Sequence, residues 1–153
     1  MATIDTVMVA VHLVFGALWI GSVAFVTLAI LPLARDGDLD RGPLESAMNK
    51  VLWFSRIGAL AMLISGGHLM GTGNYFDTDV LLDTDRGLAV LAMFLLWLIL
   101  IVIIEISTRR IKSGLGANLL REPARDGLTW FYVATGVGIL LFVIGGMLTT
   151  GFV

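Results

Sequence analysis

Long apolar runs alternate with short polar connections along the whole chain. The apolar runs cover about residues 7–33, 44–70, 87–107 and 128–149. Each run is long enough for a helix that crosses a bilayer, which needs about 20 predominantly apolar residues. Pro32 is expected to end the first helix, because proline is poorly tolerated inside a helix. The pattern predicts an all-α fold, a four-transmembrane-helix bundle with up-down-up-down topology.

Composition supports a membrane protein. Hydrophobic residues make up 58% of the 153 residues, charged residues 14%, and the mean hydropathy is +0.94. Such a chain is too apolar for a surface that faces water. Because the four spans use nearly all of the chain, residues 1–153 are expected to form a single integral membrane domain. We expect a multi-pass protein of the cell (plasma or inner) membrane.

Charge and cysteine content exclude several classes of site. The net charge of −2 argues against a nucleic-acid partner, for which a basic face is expected. Cysteine is absent, so disulfides, thiolate metal sites and thiol nucleophiles are excluded. The remaining expected partners are the lipid bilayer and other membrane subunits or a second copy of the chain.

The distribution of lysine and arginine predicts the orientation. The first and third connections are basic, whereas the second carries Asp77, Asp79, Asp83 and Asp85 against Arg86. Basic connections stay preferentially on the cytoplasmic side, so both termini are expected outside. The aspartates then make the outer mouth negative and attract cations, or they belong to a solvated loop that caps the third helix.

The first helix carries two stripes at helical spacing. One consists of small residues on which another helix can pack closely: Ala10, Ala17, Gly21 and Ala24. The other is polar at its outer end: Asp5, Met8, His12, Gly16 and Trp19. The second stripe contains one of the two histidines of the chain.

His12 and His68 are the main candidate for a functional site. The predicted topology places both imidazoles at similar depth in the outer half of the bilayer, where coordinating side chains are costly unless they are paired or functional. Gly16 and Gly67 beside them leave space for a ligand or let helices approach. The alternative interpretation is that each imidazole only bonds to a neighbouring helix.

Two ligands suit these histidines. Copper is one, since the soft thioethers of nearby methionines favour Cu(I). The candidate methionines are Met8, Met70, Met93 and Met147. Haem b is the other, with one imidazole from each of two facing helices.

Arg56 and Glu105 fall together in the inner half of the predicted bundle. A mutually satisfied structural ion pair between the second and third helices is the preferred interpretation. Snorkelling of Arg56 to the interface is the alternative.

Short motifs add a family resemblance. His12 stands early in the first helix. Segment 54–60 (FSRIGAL) opens a helix that ends in 65–67 (SGG). Segment 84–88 (TDRGL) leads into a helix that ends in Arg109 and Arg110. In these features, over about residues 11–110, the chain resembles the copper resistance D (CopD) type of polytopic membrane proteins. The resemblance implies a role in copper movement or resistance, with His12 as the most transferable residue.

The leading functional hypothesis is a membrane copper-binding protein that moves or stores copper through a His/Met site on the outer side. The alternatives are a bis-His haem b protein for electron transfer and a non-catalytic membrane subunit or scaffold. No hydrolase or phosphoryl-transfer motif is found. An enzyme is therefore not the expected class, and an enzymatic role would be that of a haem-dependent membrane oxidoreductase.

Overall fold

The computed structural model describes residues 3–117 and 119–151, and every regular element in these ranges is a helix. The four long helices are α1 (Thr3–Asp36), α2 (Arg41–Thr72), α4 (Asp85–Gly116) and α5 (Arg121–Thr150). A short helix, α3 (Thr78–Leu82), lies in the connection between α2 and α4. The predicted all-α four-helix bundle is confirmed.

The long helices form a ring in which sequence neighbours run antiparallel. α1 packs against α2 and α5, and α4 packs against the same two helices. The start of α1 and the end of α5 therefore lie at one end of the bundle, which we call the terminal end. The opposite end holds the connection 37–40 and the start of α5, and every lysine and arginine except Arg86 lies on that side of the bundle or at its middle. We call it the basic end.

The helices contain 30 to 34 residues each. At about 1.5 Å per residue they are roughly 45–50 Å long, which exceeds the hydrocarbon core of about 30 Å. Large apolar side chains also point out of the bundle, for example Leu98, Val102 and Val143. Outward-facing apolar surface on four helices of this length makes the chain a multi-pass membrane protein.

The core is built from side chains of all four long helices. The largest of those with less than 2% exposure include Trp19 on α1, Met48 on α2, Leu100 and Ile104 on α4, and Phe131 on α5. These residues fill the centre and the basic half of the bundle. The histidines lie outside this core, nearer the terminal end.

The expectation that the first helix ends at Pro32 is wrong. α1 consists of an α-helical segment (Thr3–Phe25), a π-helical turn (Val26–Ile30) and a second α-helical segment (Leu31–Asp36). The π turn changes the hydrogen-bond register, so that Pro32 stands in the first turn of the last segment. Proline is tolerated there because the missing N–H has no intrahelical partner to lose.

The π turn brings a polar side chain into the core. The Thr27 hydroxyl is fully buried and lies 2.8 Å from the Val23 carbonyl, 3.2 Å from the Phe131 carbonyl and 2.9 Å from the Thr135 hydroxyl. The contacts to Phe131 and Thr135 cross from α1 to α5. This network fixes the position of α1 against α5 in the basic half of the bundle.

The small-residue stripe of the first helix lies largely on the outer surface of the bundle. Ala10, Ala17 and Gly21 are exposed, and a Cβ at Gly21 would meet nothing within 4 Å. The second stripe packs instead: its Gly16 and Trp19 are buried and lie against Met62 and Gly58 of α2.

The second connection contains two helix caps. The Thr84 hydroxyl accepts a hydrogen bond from the Gly87 backbone N–H at 2.9 Å and caps α4. The Asp77 carboxylate accepts from the Asp79 backbone N–H at 3.0 Å and caps α3. At the same end, the Arg86 guanidinium donates to the Leu148 carbonyl at 2.9 Å and ties the start of α4 to the last turn of α5.

Candidate functional site

The polar stripe of α1 matches a complementary stripe on α2. Near the basic half, Gly58 lies against the Trp19 side chain, so closely that a Cβ at position 58 would be 2.9 Å from Cβ of Trp19. Toward the terminal end follow the contacts Gly16–Met62, His12–Ser65 and Asp5–His68. The interface therefore changes from close apolar packing to polar pairing as it approaches the terminal end.

His12 is held by a contact to Ser65 on α2. Its Nδ1 lies 2.9 Å from Oγ of Ser65, and that oxygen also lies 2.7 Å from the Ala61 carbonyl oxygen. When the one hydrogen of the hydroxyl is donated to Ala61, Ser65 accepts from the Nδ1–H of His12. In the neutral imidazole the lone pair then lies on Nε2, which is the atom that can bind a metal ion.

His68 has a different partner. Its Nε2 lies 2.9 Å from a carboxylate oxygen of Asp5, and both side chains are partly buried. A carboxylate oxygen accepts, so Nε2 of His68 carries the hydrogen of this contact. This pair closes the α1–α2 interface at the terminal end.

The two histidines thus lie on one interface but in separate contacts. Asp5 and His12 are seven residues apart on α1, which is about 10 Å along the helix axis. Ser65 and His68 are three residues apart on α2, or about 5 Å. Each imidazole has one ring nitrogen bonded to the neighbouring helix.

The two predicted cofactor-binding glycines have different surroundings. Gly16 lies against Met62, whose Sδ and Cε would both be 3.5 Å from a Cβ at position 16. A Cβ at Gly67 would meet nothing within 4 Å. The close contact to a histidine comes instead from Gly66, where a Cβ would be 3.2 Å from Cε1 of His12.

The predicted methionine ligands are spread over the terminal half. Met8 lies one turn before His12 on the same stripe of α1. Met70 lies two residues after His68, about 200° around α2, and so faces away from it. Met147 is on α5, and Met93 on α4 packs near Gly145 of α5, with Cε 3.7 Å from where a Cβ would lie. Met8 is therefore the predicted methionine that shares a helix face with His12.

Sequence reasoning missed Ser65 and Met62. Ser65 lies three residues before His68 and shares its face of α2, so this spacing was a usable signal. Met62 lies six residues before His68, about 120° around the helix, and helical spacing did not point to it. Their pairing with His12 and Gly16 depends on the axial register of α1 against α2, which Trp19 and Gly58 set.

Arg56 and Glu105 are in contact across α2 and α4. Nη2 of Arg56 donates to Oε1 of Glu105 at 2.7 Å, and the guanidinium of Arg109 donates to the same oxygen at 2.6 Å. Glu105 is the least exposed of the three, at 26% of its side chain. One carboxylate thus joins two cations at the edge of the basic end.

Among residues 3–117 and 119–151, no three His, Asp or Glu side chains form a group that could hold a metal ion. Comparison of the chain with protein-family models, with curated proteins and with solved structures finds no match.

Proposed function

We propose that this membrane protein binds Cu(I) near its terminal end, through Nε2 of His12 and the thioethers of Met8 and Met62, and holds the ion for transfer. The observation that carries the proposal is the contact between Nδ1 of His12 and Oγ of Ser65, because a hydrogen bond donated from Nδ1 leaves Nε2 to bind the metal. A bonded second ring nitrogen is typical of histidines that bind metals, because it fixes the tautomer and the ring orientation.

Two methionines flank His12. Met8 lies one turn toward the terminal end, and Met62 lies against Gly16, one turn toward the centre. Thioether sulfur is a soft ligand that favours Cu(I) over hard divalent cations. A set of one imidazole and two thioethers therefore supports a monovalent copper ion.

The charge distribution supports the approach of a cation from the terminal end. Aspartates predominate there over Arg86: Asp5, Asp77, Asp79, Asp83 and Asp85. A negative mouth raises the local concentration of cations, whereas the basic end repels them.

The packing below the site supports holding the ion rather than conducting it. Trp19 is 1% exposed and packs directly on Gly58, which closes the α1–α2 interface toward the basic end. We infer that copper enters and leaves at the terminal end. By the positive-inside rule, that end lies outside.

The haem alternative receives less support from the packing. A haem between His12 and His68 would have to separate α1 from α2, but these helices touch through Gly58 and Gly66. No observation favours an enzymatic reaction.

The test is an anaerobic titration of the detergent-purified protein with Cu(I) against a chromogenic copper chelator. We expect one ion per chain for the wild type, none for His12→Gln, and weaker binding for Met62→Leu, which lacks one soft ligand. Met147→Leu is the matched control and should bind as the wild type does. Absence of stoichiometric copper, or a haem absorption band that disappears in His12→Gln, would overturn the proposal.

Cysteine labelling tests the inferred orientation separately, since the chain has no native cysteine. A reagent that cannot cross membranes should label Asp79→Cys in intact cells and should not label Ala117→Cys. The reverse labelling pattern would place the copper site on the cytoplasmic side.

A further inference from the structure

A cleft of about 280 Å³ lies between α4 and α5 at the basic end, far from the histidines. Its floor is formed by Ser107, which is 2% exposed, and by Gly127, which packs against Ile111. The small side chains at these two positions leave the space open. The rim carries Arg110, Glu122, Asp126 and Trp130.

The rim presents charges of both signs. Within the ranges that the structure describes, neither the guanidinium of Arg110 nor the carboxylate of Glu122 has an ion-pair or hydrogen-bond partner. Asp126 contacts only its exposed neighbour Arg125, at 3.5 Å. Glu122 and Asp126 are four residues apart on one helix face, where like charges repel and a cation between them is favoured.

The cleft lies at the level of the lipid headgroups. Arg110 follows the apolar run of α4, and Trp130 stands at the start of the apolar run of α5 with 46% of its surface exposed. Tryptophan in this position is typical of the membrane interface. Toward the membrane centre, the exposed side chains of Ile106 and Val133 continue the surface and offer contact to acyl chains.

We propose that this cleft binds the headgroup of a phospholipid that carries both a phosphate and a primary ammonium group, that is, a phosphatidylethanolamine. Arg110 binds the phosphate, because a guanidinium can donate two parallel hydrogen bonds to it. The ammonium group donates to Glu122 and Asp126, and the ring of Trp130 stabilises it by a cation–π contact.

The mixed charge sets the selectivity. An anionic phosphatidylglycerol satisfies Arg110 but places hydroxyl groups where the carboxylates require a cation. A phosphatidylcholine reaches Trp130, but its quaternary ammonium cannot donate hydrogen bonds to Glu122. A free phosphate ester lacks the acyl chains that pack on Ile106 and Val133.

Native mass spectrometry of the detergent-purified protein tests the proposal. The protein is mixed with equal amounts of the three phospholipids with matched acyl chains. We expect phosphatidylethanolamine to bind roughly tenfold more tightly than phosphatidylglycerol, as expected for an added charge-assisted hydrogen bond. Equal binding of phosphatidylethanolamine and phosphatidylglycerol to the wild type would overturn the proposal.

Two variants separate the two halves of the site. Arg110→Gln should weaken all phospholipid adducts, whereas Glu122→Gln should remove the preference for phosphatidylethanolamine and keep the binding of phosphatidylglycerol. Lys112→Gln, a charge change on the same helix outside the cleft, is the control and should behave as the wild type. Wild-type adducts in both cleft variants would contradict the assignment.

A soluble competitor distinguishes the lipid from a free ester. Millimolar phosphoethanolamine should leave the lipid adducts in place, because it lacks acyl chains. Displacement of the bound lipid by phosphoethanolamine would show that the cleft recognises the ester alone and would overturn the assignment to a lipid.

Discussion

Ser65 on α2 lies 2.9 Å from Nδ1 of His12 on α1, measured from its Oγ. The same oxygen lies 2.7 Å from the Ala61 carbonyl, and donation to that carbonyl lets the hydroxyl accept from Nδ1 of the imidazole. The hydroxyl is fully buried, so water does not compete for this bond. In this arrangement Nε2 of His12 is the nitrogen that the proposed copper ion would bind.

Replacement of this hydroxyl should weaken copper binding without abolishing it. In Ser65→Ala, the His12 ring loses its orienting partner and can adopt either tautomer. We expect the affinity for Cu(I) to fall by about tenfold, the lower end of the effect of removing a partner of a metal ligand. Chelator competition measures the change, with the exposed Ser46→Ala as control. Unchanged affinity in Ser65→Ala would show that Ser65 does not orient the ligand.

Adjacent glycines beside His12 should respond differently to alanine. A Cβ at position 66 would lie 3.2 Å from Cε1 of His12, and the hydrogen bond to Ser65 limits how far the ring can move away. We expect Gly66→Ala to destabilise the fold by about 1 kcal/mol and to weaken copper binding. Gly67→Ala meets nothing within 4 Å and should leave both properties unchanged or raise stability slightly. Thermal unfolding in detergent measures the stability of the two variants, and copper titration measures their affinity. Equal stability and equal affinity in Gly66→Ala and Gly67→Ala would contradict the contact between position 66 and His12.

The contact between Gly58 and Trp19 should be essential for the α1–α2 interface. A Cβ at position 58 would lie 2.9 Å from Cβ of Trp19, which is close to the backbone and cannot rotate away. We expect Gly58→Ala to cost about 1–3 kcal/mol of unfolding free energy, in the range of overpacked cores. Gly21→Ala, on the outward face of α1, is the control. Equal stability of both variants would show that this close approach does not limit the fold.

The carboxylate between two arginines should support the basic half of the bundle. Glu105→Gln removes the negative charge that Arg56 and Arg109 share, so we expect the melting temperature to fall by a few degrees while the copper stoichiometry stays the same. Glu45→Gln breaks only an exposed pair with Arg41 at 3.9 Å and should change stability less. If the melting temperature falls no further in Glu105→Gln than in Glu45→Gln, the ion pair between Arg56 and Glu105 has no structural role.

The fold could be predicted from the sequence because each membrane span is long and apolar in composition. The residues at which the helices end were harder to predict. Pro32 indicated an end of the first helix, but the π turn before it allowed the helix to continue, and no local pattern reveals that change of register. The hydrogen bonds of Thr27 to α5 could likewise not be predicted, because Thr27 stands in a run of apolar residues with no local pattern that marks it.

The face of α1 that meets α2 could be predicted from the sequence, but the residues of α2 that it meets could not. The stripe that contains Asp5, His12 and Gly16 does form the α1–α2 interface. Which residues of α2 it meets depends on helix rotation and axial register. These follow from the packing of Trp19 on Gly58, a tertiary contact that helical periodicity leaves open in a span that is apolar all round.

In the proposed site, one imidazole and two thioethers hold Cu(I) near the terminal end. X-ray absorption spectroscopy of the copper-loaded protein identifies these ligands, because nitrogen and sulfur neighbours of the ion scatter differently. We expect one nitrogen and two sulfur ligands in the wild type, one fewer sulfur in Met62→Leu, and no specifically bound copper in His12→Gln. A copper ion with no sulfur ligand, or an identical spectrum in His12→Gln, would contradict the proposed site.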